Sequence, residues 1–124
     1  MVERMTRRIC LALDLVNDAA SIAEYERWHQ PGHTKPAVTQ SIRDAGITDM
    51  QIYRAGNRLF MIIEADDSYS DERKAAMDAV NPDVQDWIAL MAPFQQPIPA
   101  AGPGDSWIVM DRVFNLADNA GTDA

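Results

Sequence analysis

Residues 47–65 read ITDMQIYRAGNRLFMIIEA, and their reading decides the fold. Ile47 to Arg54 alternates around Met50, Ile52 and Tyr53, the period of a strand. Ala55-Gly56-Asn57 is a short turn. Arg58 to Ala65 carries six apolar residues in eight, two of them isoleucine, and is the strongest strand signal in the chain. Two strands joined by a short glycine-containing turn predict an antiparallel hairpin.

Working outward, Arg8 to Val16 (RICLALDLV) predicts a strand buried mainly on one face. Asn17 and Asp18 are good helix caps before a helical pattern over 19–28. Pro31, Gly32 and Pro36 make a loop. A second helical piece follows to about Ala45 and stops at Gly46. Beyond the hairpin, Asp71 to Val80 is helical, and Asn81-Pro82 restarts a helix that runs to about Met91. Pro93 to Gly104 holds four prolines and two glycines and reads as an irregular loop. Trp107 to Leu116 (WIVMDRVFNL) predicts a last strand. The order strand, helix, strand, strand, helix, strand is the ferredoxin-like βαββαβ arrangement of the α+β class. It implies one domain over 1–124, with an ordered core at 6–116 and a fraying tail at 117–124. The four-stranded antiparallel sheet carries its helices on one face. The other face, expected to present Met61, Ile63 and Val109, then invites a homodimer through the open sheet face, which could enclose a cavity.

The formal net charge of −8 argues against nucleic acid or an anionic membrane surface as partner, since both need basic patches. No apolar stretch reaches transmembrane length, and the charged start does not fit a signal peptide. Cys10 is the only cysteine, so no intrachain disulfide and no cysteine metal site can form. The expected compartment is cytoplasmic.

Chemistry concentrates at Tyr25-Glu26-Arg27-Trp28-His29. Tyr25 and His29 stand four residues apart and share one helical face. Pro31-Gly32 ends the helix beside them. A histidine there is either a proton carrier in a small-molecule site or a cation placed at a helix C-terminus. Tyr53 and Trp87 are further rings that either line a pocket with His29 or pack in the core. Glu64 and Arg58, at the two ends of the strong strand, either reach a ligand or face water. His33 sits in the Pro/Gly loop, solvated or folded over a site. There is no phosphate loop, no nucleophile elbow and no pair of histidines aligned for a metal, so no metal is expected.

Three blocks resemble the L-rhamnose mutarotases, a family with L-fucose mutarotase-like members. The first is Ala23 to Pro31, similar to the family's Tyr-x-x-x-His-x-Pro. The second is Gly46 through Ile52-Tyr53 to Asn57-Arg58-Leu59-Phe60 and Glu64. The third is Val84 to Met91, followed by a proline-containing loop and Val113-Phe114. The resemblance implies a dimeric ferredoxin-like isomerase, free of cofactors, that interconverts the α and β anomers of a free 6-deoxy sugar. It implies His29 as catalytic proton donor, Tyr25 as a sugar contact and Trp87 as a pocket ring. Gly32 to Pro36, Met50 and Ile88 depart from the family's usual residues at pocket-lining positions, so the sugar itself is left open. A cofactor-free monooxygenase-like enzyme or a non-catalytic binding module on the same scaffold are the alternatives.

Overall fold

The computed structural model describes residues 6–119. The chain runs β1 (Thr6–Leu15), α1 (Ala19–Trp28), α2 (Pro36–Asp44), β2 (Ile47–Ala55), β3 (Arg58–Asp66), α3 (Asp71–Ala79), α4 (Pro82–Met91), β4 (Gln95–Gln96) and β5 (Ile108–Val109). The sheet is antiparallel in the order β2-β3-β1, and both β4 and β5 pair with the far edge of β1. This is the expected α+β, ferredoxin-like arrangement, with one revision at its end. The last strand, expected over 107–116, is two short pieces instead. Gln95 and Gln96 sit opposite Leu15 and Asp14, and Ile108 and Val109 opposite Ala12 and Leu11. Pro97, Pro99 and Pro103 separate the pieces, and proline has no N–H to give a ladder. After Met110 N–H donates to the Cys10 carbonyl the chain leaves the edge, and Asn115 caps a short 3₁₀ turn over Leu116–Asp118. The tail residues 120–124 lie outside the described residues.

Local chemistry sets the element ends. Asp18 Oδ2 accepts from Ser21 N–H at the start of α1, and Ser70 accepts from Arg73 N–H at the start of α3. The Asn81 side chain accepts from the N–H groups of Asp83 and Val84 before α4, whose first residue is Pro82. These side chains satisfy donors that a helix N-terminus leaves free. Gly46, at φ +98°, turns the chain from α2 into β2.

Partners across antiparallel strands share a face. Ile9, Ile63 and Met50 form one row, and Leu11, Met61 and Ile52 the next; both face the helices. Arg8, Cys10, Ala12 and Asp14 face the other way with Glu64, Ile62, Phe60 and Arg58. Met61 and Ile63 are therefore not on the open face as expected; Phe60 and Ile62 are. Two apolar clusters pack under the helices. One gathers Leu15, Tyr25, Leu59 and Met91, and the other Ile47, Ile63 and Ala65.

A Cβ on Gly46 would press on Ser68 Oγ and Asp66 Oδ1 in addition to the unfavourable positive φ. Gly46→Ala is expected to destabilise by about 1–3 kcal/mol in urea unfolding; a change below about 0.5 kcal/mol would show that this turn is not under constraint.

Candidate active site

Between the sheet and the helices lies an open cavity of about 750 Å³, within the ordinary range for small-molecule sites. Leu11, Met50, Ile52, Met61 and Ile63 form its floor. Tyr25 and His29 reach it from α1, and Trp87 and Met91 from α4. The helical spacing of Tyr25 and His29 does bring their rings together, with centroids 4.2 Å apart. Trp87 presents its edge to the imidazole at 5.3 Å and 70°. Phe94 closes on the far side of Tyr25 at 6.1 Å.

His29 is the C-terminal cap of α1, and its backbone N–H bonds back to the carbonyls of Glu26 and Arg27. Its Nδ1 lies 2.7 Å from the Tyr25 carbonyl oxygen. A carbonyl can only accept, so Nδ1 carries the proton in this contact, and the neutral ring keeps a free lone pair on Nε2. The residue as a whole is open to solvent at the helix end, while its ring is flanked by Tyr25 and Trp87. That partial burial lowers the imidazole pKa, with the bond to Tyr25 opposing it. Tyr25 is 4% exposed, and burial pushes its phenol up to about 12. At neutral pH the site therefore holds a neutral imidazole able to take a proton and a phenol that keeps its own.

The other candidates lie elsewhere. Tyr53, Glu64 and Arg58 all project from the sheet face opposite the cavity. The Tyr53 hydroxyl donates to Gln51 Oε1 at 2.8 Å. Glu64 accepts from Arg8 Nε at 2.7 Å. Arg58 donates twice to the buried Asp14, at 2.8 and 3.2 Å. The physical reason is parity: residues 58, 60, 62 and 64 point one way and 59, 61 and 63 the other. His33 lines a separate hollow of about 210 Å³ with Trp28, Lys35, Asp83 and Asp86, and Trp87 and Val38 border both spaces. Among the described residues no cluster of three or more histidine, cysteine or acidic side chains is placed to hold a metal ion.

The sequence reading misses most of the cavity's polar lining. Thr34, Thr39 and Ser41 border it from α2 and the loop before it, Gln95 and Ser106 from the segments after α4, and Lys74 and Asp78 from α3. Trp107 adds a further ring. Only the Lys74/Asp78 spacing carries a signal, that of an ordinary i,i+4 ion pair.

The sequence pattern of the L-rhamnose mutarotase family matches residues 8–116. The L-fucose mutarotase of Xanthomonas campestris is 44% identical over 112 residues, covering 90% of each chain. The crystal structure of an L-rhamnose mutarotase from Formosa agariphila superposes with a TM-score of 0.59 at 25% identity, over 88% of this chain and 97% of that one. A Nitrosomonas europaea structure described as an antibiotic biosynthesis monooxygenase matches at a TM-score of 0.50 and 14% identity, over 92% and 96% of the two chains, a likeness of fold alone. A match that spans the strands, the helices and the residues around His29 leaves one conclusion: the chain belongs to the L-rhamnose mutarotase family.

Proposed function

We propose that the protein is an isomerase that interconverts the α and β anomers of a free 6-deoxy sugar of the L-rhamnose or L-fucose type, with His29 carrying the proton. The observation that supports this most is the bond from His29 Nδ1 to the Tyr25 carbonyl, which leaves Nε2 unprotonated on the cavity wall. Nε2 takes the proton of the anomeric hydroxyl as the C1–O5 bond opens, leaving an aldehyde at C1. The same proton passes from Nε2–H to O5. Rotation about C1–C2 presents the other carbonyl face, and the steps reverse. Protons balance over the cycle with one carrier. Trp87 offers an apolar surface to the C–H face of the ring, and the Tyr25 phenol, held protonated by burial, serves as a hydrogen-bond donor. The hydroxyls of Thr34, Thr39, Ser41 and Ser106 and the Gln95 amide favour a sugar over an aromatic substrate, which would ask for a drier cavity.

The same reading includes a homodimer through the open sheet face. Phe60, Ile62 and Cys10 sit there only partly covered, beside Tyr53 at 55% exposure. Val113 and Phe114 are further exposed apolar side chains, at 95% and 67% exposure. A second copy related by a twofold axis would bury such a surface against itself. No helix among the described residues is long and apolar enough to cross a membrane; we place the enzyme in the cytoplasm, where the free Cys10 stays reduced.

His29→Ala is expected to slow anomer exchange of L-fucose or L-rhamnose, read by exchange NMR, by about 10²-fold or more, with the circular dichroism spectrum retained. Tyr25→Phe should cost less, since it keeps the ring. A His29→Ala protein that exchanges both sugars at the original rate sinks the assignment.

The pH profile follows from the imidazole. Burial holds its pKa below the ordinary value of about 6.5. The base form therefore persists through neutral pH and is lost as pH falls through the lowered pKa. The acid limb of kcat/KM should have its midpoint below about 6.5; a midpoint above that value contradicts a partly buried, neutral His29.

For the dimer, sedimentation equilibrium should return about twice the chain mass of 13.8 kDa, and Ile62→Asp should shift the protein toward monomer. A wild-type monomer at tens of micromolar would rule the interface out.

A further inference from the structure

Lys74 and Asp78 make an ion pair on the cavity wall, with Nζ 2.6 Å from Oδ2. Two observations set it apart from the surface pairs. Its lysine, at 29% side-chain exposure, is the most sheltered cation in any ion pair among the described residues; the next is Arg54 at 36%. It also faces the cavity, whereas the exposed helix pair Arg27–Glu24 does not line it. Partial burial of a charged pair costs desolvation that an i,i+4 contact alone repays poorly. An ammonium has three donors, and Lys74 gives one to Asp78. The remaining donors, and the lone pairs of the Asp78 carboxylate, stand side by side on the wall of the cavity proposed to hold a sugar.

Position matters as much as chemistry. Tyr25 and Trp87, the neighbours of His29, pack with the cluster around Leu15 and Met91. Tyr69, which leads into α3, packs with the cluster around Ile63 and Ala65, and α3 is held there by Arg73, which donates to the carbonyls of Asp44, Ala45 and Ser68. The cavity borders both clusters. His29 and the α3 pair therefore border the same cavity, each beside a different cluster.

We propose that Lys74 and Asp78 read the sugar's ring hydroxyls remote from C1 and so determine which 6-deoxy sugar is accepted. Each hydroxyl both donates and accepts, and adjacent hydroxyls match an adjacent ammonium and carboxylate. L-Rhamnose and L-fucose differ in the orientation of the hydroxyls at C2 and C4, so a fixed donor–acceptor pair distinguishes them. A site built to bond a hydroxyl discriminates strongly, because a wrong orientation leaves its polar groups unpaired. The inference rests on the mutarotase reading and adds the selection of substrate to it.

The test is anomer-exchange NMR on both sugars with wild type and with the double variant Lys74→Met/Asp78→Leu, which removes both charges and leaves neither one orphaned. The half-saturating concentration of the preferred sugar should rise about tenfold or more, the saturated rate should stay within about threefold, and the preference between the two sugars should narrow. A merely structural pair would lower thermal stability and leave the preference alone. Unchanged half-saturation and unchanged preference in a folded variant overturn the proposal while the mutarotase reading stands. If the double variant does not fold, Lys74→Gln is read in the same way, with preserved preference again the refuting result. Wild-type protein that accelerates neither sugar overturns the function itself, and this inference with it.

Discussion

The pairing of β1 with β3 is the constraint on which the rest depends. Nine residue pairs, from Thr6 opposite Asp66 to Asp14 opposite Arg58, run the length of both strands. The register determines which side chains meet the helices, and a slip by one residue would exchange the two faces of the sheet. Apolar content alone would not resist that slip, because β3 is apolar on both sides. The polar ends do. Arg58 reaches the buried Asp14 and Arg8 reaches Glu64, so a shift would break both ion pairs and leave the Asp14 carboxylate without its partner. Polar bonds at the ends of the ladder thus preserve an apolar cavity floor in its middle.

That cavity exists because the chain does not build one continuous core. The helices close over the sheet at two places, around Tyr25 and Met91 and around Ile63 and Ala65, and the space between them stays open. The Tyr25-side cluster adjoins an imidazole whose tautomer is set by a backbone bond. The other is adjoined by a helix bearing a charged pair. The proposed site is the gap between two packed regions, each of which can be well filled without filling that gap.

The hairpin, the helix caps and the Tyr25/His29 pair are legible in the sequence because each rests on local chemistry: a turn glycine, an Asp or Asn before a helix, a spacing of four. The phase of β3 is not. In RLFMIIEA there is no polar residue on either side between Arg58 and Glu64 to mark the wet face, so Met61 and Ile63 read as outward and Glu64 stays open between ligand and water. The strand's partner settles the matter, and a partner is a long-range fact. The end of the chain misleads for a related reason. WIVMDRVFNL has the composition of a strand, but only Ile108 and Val109 find the edge of β1. Lys74 and Asp78 escape notice because a helix with that much charge reads as solvated; only the fold turns one of its faces inward.

Three of the residues that border the cavity, Met50, Met61 and Met91, are methionines. An unbranched thioether bends at three bonds and changes shape at small energetic cost. The wall bearing His29 is held by ring stacking and a backbone bond, while Met50 and Met61 lie in the floor beneath it. Such a division separates what the reaction needs from what the substrate's outline needs. A lineage built on this plan can drift from one deoxy sugar to another by changes away from His29, leaving the chemistry proposed there intact.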